Sequence, residues 1–150
     1  MDPVADHWRP VPIEWLPETV SRPESDFPQF WSGIVCVSKR AVEAVGSYLR
    51  VAGEMLPLAG LGDEFVGFHC LHTADVIDQG ATDLAIKDRK GISFASPSFA
   101  PTLRRHLLPI DCEVFRIPQS FAKVFVGMDF KMTYDRNGLR GLQFLEVPLV

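Results

Sequence analysis

The sequence predicts a single α+β domain with a mainly antiparallel sheet, two principal helices, and an irregular Pro/Trp-rich N-terminal arm packed on it. Three observations predict this. Strand-like and helix-like runs interleave without a regular βαβ rhythm, and several strands follow one another through short turns. One strand, helix cap and helix follow in immediate succession over residues 33–53. Finally, 6 of the 12 prolines (Pro3, Pro10, Pro12, Pro17, Pro23 and Pro28) share the start of the chain with all three tryptophans, Trp8, Trp15 and Trp31.

The arm covers residues 1–31. Its prolines break helices and remove ladder donors, so extended segments and turns are expected. Trp8, Ile13, Trp15, Leu16, Phe27, Phe30 and Trp31 carry too much apolar surface for a free tail. Each buried aromatic contributes about 1.5–3 kcal/mol, so the arm should wrap the domain.

Gly33-Ile34-Val35-Cys36-Val37 is a β-branched run of strand length. Ser38 suits a helix N-cap, and residues 39–52 place Ala41, Val42, Val45, Tyr48 and Leu49 on one broad face, with Gly53 as the stop. Residues 54–58 are extended, and Pro57 implies an edge or a strand end. A turn at Gly60, Gly62 and Asp63 leads to a strand over 64–71 with both faces largely apolar, which marks a central strand. In it His69 faces opposite to Cys70 and His72. Asp75 and Asp78, three apart, suit a helix-turn surface.

Residues 79–111 read as a long surface excursion, with a short strand near 91–95 and a short helix near 103–108. Glu113-Val114-Phe115-Arg116-Ile117 alternates polar with apolar until Pro118 ends it. A strand at 124–126 follows. A second helix spans 127–137, with Met128, Met132, Phe130 and Tyr134 facing in and Asn137-Gly138 as a left-handed stop. Residues 142–147 close the chain as a strand.

The chain has 150 residues, 47% apolar and 23% charged. That is one domain's worth of ordinary globular composition, which excludes a disordered chain, a coiled coil and a collagen-like repeat. The net charge of −4 disfavours nonspecific nucleic-acid binding and suits a basic partner. Cys36, Cys70 and Cys112 lie in apolar runs without close spacing and read as buried hydrophobes in a reducing compartment. The start lacks a basic region followed by an apolar stretch, and no run approaches a membrane span, so a cytoplasmic protein without a signal peptide is expected.

Chemistry is sparse. His69-Cys70-Leu71-His72 with Asp75 and Asp78 is the densest set of ligand-type residues, but alternation keeps His69 away from Cys70 and His72, and no second cluster completes a site. No metal, cofactor or catalytic residue is assigned. Arg104-Arg105-His106 is too short a basic run to argue for nucleic acid. No phosphate loop, nucleophile elbow or His-Glu-x-x-His motif is present in the sequence.

An ordered set of short signatures runs along the chain. It comprises Asp26-Phe27-Pro28, the 34–38 strand and cap, Gly53-Glu54-Met55-Leu56-Pro57-Leu58, the 65–71 strand, Ala74-Asp75-Val76-Ile77-Asp78, Val114-Phe115-Arg116-Ile117-Pro118, Val124-Phe125-Val126 and Asn137-Gly138-Leu139-Arg140-Gly141-Leu142-Gln143-Phe144. Over residues 26–147 this resembles a bacterial family, formerly a domain of unknown function, classed as immunity proteins of polymorphic toxin systems. The match departs at Gln79-Gly80-Ala81-Thr82, where the family often carries charge, and over 83–111.

The resemblance implies a cytosolic binder that neutralises a cognate toxin by stoichiometric contact. Charge adds a basic toxin, such as a nuclease, as the expected partner. Charge and expected exposure select Glu24, Asp26, Asp63, Glu64, Asp83 and Asp88 as toxin-binding candidates. The alternatives are a small-ligand or scaffold-binding module, and a small enzyme using Cys70 and His72.

Overall fold

The computed structural model describes residues 2–14, 25–28, 33–60, 64–82, 86–87, 93–94 and 101–150. Trp15, Leu16, Phe30 and Trp31 lie outside the described residues, as does the Ser/Pro-rich stretch at 96–98.

The core unit is a split β-α-β. Strand β2 (Ile34–Ser38) leads into helix α1 (Lys39–Ala52), which returns through β3 (Gly53–Gly60) and β4 (Phe65–Cys70). β4 lies between β2 and β3 and is antiparallel to both, so it is the central strand that its two apolar faces predict. Ser38 caps α1 by accepting a hydrogen bond from Ala41 N at 3.1 Å on its Oγ. Ala41, Val45, Leu49 and Ala52 recur at helical spacing and are all buried.

Gly53 ends the helix in an extended conformation rather than a left-handed one. Space is what requires glycine there. A Cβ would overlap the His69 carbonyl oxygen and come within 2.9 Å of Cys70 Cα.

The arm contributes a 3-10 turn (Ala5–His7) and a short strand, β1 (Val11–Ile13), which pairs parallel to β3 at Leu58, Ala59 and Gly60. β3 is therefore covered by β1 only over its last residues. Pro57, one residue earlier, keeps the edge-like position that a missing N–H demands.

The sheet has two different faces. Val37, Phe68 and Cys70 pack in one cluster with α1 and with Phe130 and Tyr134. Cys36, Leu58 and Phe65 form another, against which Trp8 and Ile13 of the arm pack. The expectation that the arm packs down holds for these residues.

A third cluster lies beyond this sheet. β7 (Val114–Ile117) and β8 (Ser120–Val126) form a hairpin through Pro118-Gln119, and Phe115 stacks on Phe125 with centroids 5.6 Å apart. Val76, Ile77 and Leu103 pack against them. Residues 73–78 are not the helix turn that the Asp spacing suggested. They run extended, bridging Arg116 through Thr73 and Leu103 through Ile77, because adjacent Val76 and Ile77 are both buried. In the excursion, β5 (Ile86–Lys87) and β6 (Ser93–Phe94) pair antiparallel, and the expected short helix is one 3-10 turn, Arg105–Leu107.

Helix α2 (Met128–Arg136) begins where the Glu113 carboxylate accepts from Asp129 N and Phe130 N at 3.2 and 3.3 Å. Phe130 and Tyr134 face inward; Met128 and Met132 are exposed, contrary to expectation. The two stripes sit about 200° apart on a helix, so only one can be buried, and the aromatics bury more area. Gly138, at φ +59°, supplies the left-handed stop.

The expected closing strand at 142–147 is absent. That segment follows α2 instead of a sheet edge: Leu142 N donates to the Tyr134 hydroxyl at 3.1 Å, and Phe144 packs edge-on to the Tyr134 ring. Beyond it, Leu149 bridges Leu103.

Candidate functional site

Of the six acidic candidates for toxin contact, Glu24, Asp63, Asp83 and Asp88 lie outside the described residues. Glu64 is exposed ahead of β4, and its carbonyl accepts from Lys39 N at 2.8 Å.

Asp26 is only 7% exposed and is not an open surface charge. Its carboxylate accepts from Ser38 Oγ at 2.6 Å, Arg40 Nη2 at 2.7 Å, Arg40 Nε at 3.2 Å and Arg140 N at 2.9 Å. Its backbone pairs with Ser38 N and the Arg140 carbonyl, both at 2.8 Å. Burial by itself would raise the Asp26 pKa, but these donors outweigh it and hold the carboxyl below its ordinary value. Asp26 thus joins the arm, the start of α1 and the segment after α2.

The ligand-type residues of the β4 end do not converge. Cys70 faces the α1 side, and its Sγ donates to the His72 carbonyl at 3.7 Å. Burial pushes its thiol up, partly offset by the Arg116 guanidinium. A raised thiol pKa opposes nucleophilic use at neutral pH. Cys36 is likewise pushed up by burial, to about 11. Asp75 is exposed and accepts from Gln119 Nε2 at 3.2 Å. Asp78 caps its own turn, accepting from Ala81 N and Gly80 N at 2.8 and 2.9 Å, with Arg104 3.5 Å away. Among the described residues, no three His, Cys, Asp or Glu side chains gather as a metal site.

Two buried polar groups escaped the sequence reading. Arg116, expected on the polar side of its strand, is 2% exposed, and its Nη2 donates to the Gly33 carbonyl at 2.6 Å. All of β7 is buried because the chain covers both of its faces.

The second is the pair His69 and Glu54 on the arm side of the sheet, with Nδ1 2.9 Å from Oε1. The same carboxylate accepts from Val4 N at 2.8 Å and Ala5 N at 3.1 Å. Burial would raise Glu54, but the His69 and backbone donors prevail and lower it. The turn expected at Gly60, Gly62 and Asp63 was the available signal, since reflecting the chain about it places Glu54 opposite His69, although residues 61–63 themselves lie outside the described residues.

The exposed apolar side chains include a group around residues 103–110. Leu107 and Ile110 are exposed in this region, with Ile110 at 95%. Leu149 and Val150, also exposed, are tied to it by Arg105 N donating to Val150 O at 2.8 Å and Val150 N to Leu103 O at 2.9 Å. Among the described residues, no helix is long and apolar enough to cross a membrane. No family model matches the chain, and no curated protein matches it.

Proposed function

We propose that the chain is an immunity protein that binds and neutralises a cognate bacterial toxin by stoichiometric contact in the cytoplasm. The observation that carries this reading is the ordered set of signatures over residues 26–147.

Their placement supports it. Phe27, Val37, Leu56, Phe68, Val76, Ile117 and Leu139, each from one of those signatures, are buried framework residues. The raised Cys70 thiol favours binding over catalysis by that cluster. The exposed Leu107, Ile110, Leu149 and Val150 side chains are apolar area of the kind that protein partners cover. Glu64, with Glu24, Asp63, Asp83 and Asp88, remains a charge-based candidate contact set for a basic toxin such as a nuclease.

The test is co-expression with the C-terminal domain encoded immediately upstream. Rescue of growth and co-purification at one-to-one stoichiometry are expected. A toxic domain that this chain neither rescues nor retains overturns the reading. Rescue that survives Cys70→Ala and His72→Ala, with the fold intact by circular dichroism, separates binding from catalysis by those residues.

A further inference from the structure

The arm-side face of the sheet is built like a receptor for an extended peptide. At one end the Glu54 carboxylate, held by His69, accepts two consecutive backbone amides, Val4 N and Ala5 N. In the middle Trp8 Nε1 donates to the Pro57 carbonyl at 2.7 Å. At the other end Val11, Pro12 and Ile13 add as a parallel strand to β3. Beneath them Cys36, Leu58 and Phe65 take the apolar surface of Trp8 and Ile13. Backbone acceptors and an edge strand set the register, and pockets for alternate side chains set the choice, which is the physics of strand addition.

We propose that this face also accepts the arm of a second copy of the chain, giving an arm-exchanged dimer. The hydrogen bonds and strand pairing of residues 4–13 all reach residues more than 40 positions away. None depends on the arm arriving from its own chain, and the arm of a second copy carries the same amides, indole and strand. The attachment is also short. Pro10 and Pro12 have no N–H, so β1 brings only Val11 N and Ile13 N to the ladder. Reciprocal exchange closes as a two-fold dimer, with each groove filled.

Concentration decides between the two forms. A tethered arm competes at an effective concentration of about 1 mM, so micromolar protein keeps its own arm and protein refolded near 1 mM exchanges. This inference is independent of toxin binding and survives or fails without it.

The experiment refolds the full chain from urea at about 10 µM and at about 1 mM, then measures mass by light scattering after size exclusion. Monomer is expected at the low concentration and dimer at the high one. Trp8→Ala disables the arm; Glu54→Gln disables the groove by facing an amide NH₂ toward the arm amides. Each alone should lower the dimer yield at least about tenfold, and co-refolding the two should restore a heterodimer with one intact arm–groove pair, seen by native mass spectrometry.

Monomer alone at 1 mM, a dimer indifferent to both substitutions, or a mixture that restores nothing overturns the proposal. Should either variant fail to fold, a synthetic peptide of residues 2–14 added during wild-type refolding replaces it. The plain peptide should suppress the dimer, and the peptide N-methylated at Val4 and Ala5 should not; equal effects refute the groove.

Discussion

Replacing Asp26 with alanine removes the acceptor for four hydrogen bonds that join three separate segments. The Ser38 hydroxyl and Arg140 N–H are partly buried, and each hydrogen bond to an ionised acceptor contributes about 1.5–3 kcal/mol. Arg40 is different. Its side chain is 57% exposed and regains water, so its ion pair adds only about 0.2–1 kcal/mol. The expected loss is about 3–7 kcal/mol, equivalent to roughly 6–28 °C in Tm for a domain of this size.

Urea unfolding followed by tryptophan fluorescence measures it, with Asp26→Asn intermediate because one acceptor oxygen remains. The Asp26 pKa is depressed in the fold, so its stabilisation is complete above the ordinary value of 3.8 and is lost as pH falls through the folded value. Wild-type stability should therefore fall more steeply than that of Asp26→Ala below pH 3.8. A loss under about 1 kcal/mol, or identical acid limbs, would refute the reasoning that this carboxylate ties the segments together.

Ile117→Ala, at a fully buried position of the hairpin in one cluster with Val76, should cost about 2–5 kcal/mol by urea unfolding, and a loss below about 1 would contradict this third core cluster. Glu113→Ala uncaps α2 and should cost about 0.5–2 kcal/mol, with a matching loss of helical circular dichroism on mild heating. Cys36, Cys70 and Cys112 are all buried, so Ellman's reagent should titrate them only on unfolding; one fast thiol in the native protein would oppose this. Ile110→Asp should leave stability within about 0.5 kcal/mol, since the side chain is 95% exposed, and, if the proposed function holds, should weaken capture of the cognate toxin; unchanged capture removes this side chain from the proposed interface.

Local signals were read well wherever neighbours in sequence decide them. Ser38 caps α1 through its own hydroxyl, and Gly138 stops α2 through its own backbone freedom. The β3–β4 register pairs Glu54 with His69, as the turn expected after Gly60 implies, although periodicity alone did not draw attention to that pair. The candidate contact residues fared differently. Charge marked Asp26 as a surface group, yet its partners Ser38, Arg40 and Arg140 come from two other segments and make it an internal tie.

What the sequence by itself determined is the inventory: a strand, cap and helix in succession, a central strand with two apolar faces, thiols in apolar runs, and an arm too aromatic to stay in water. These follow from spacing, capping and composition, which act within a few residues. Only the tertiary structure decided which face each ambiguous element presents. Phe130 and Tyr134 went inward and Met128 and Met132 outward because α2 has one core to meet and the aromatics fill it. Arg116 was buried because chain covers both faces of its hairpin strand, and residues 142–147 formed no strand because they lie against α2 and not beside a sheet edge. Burial is a property of what arrives from elsewhere in the chain, and the period of a single segment does not contain it.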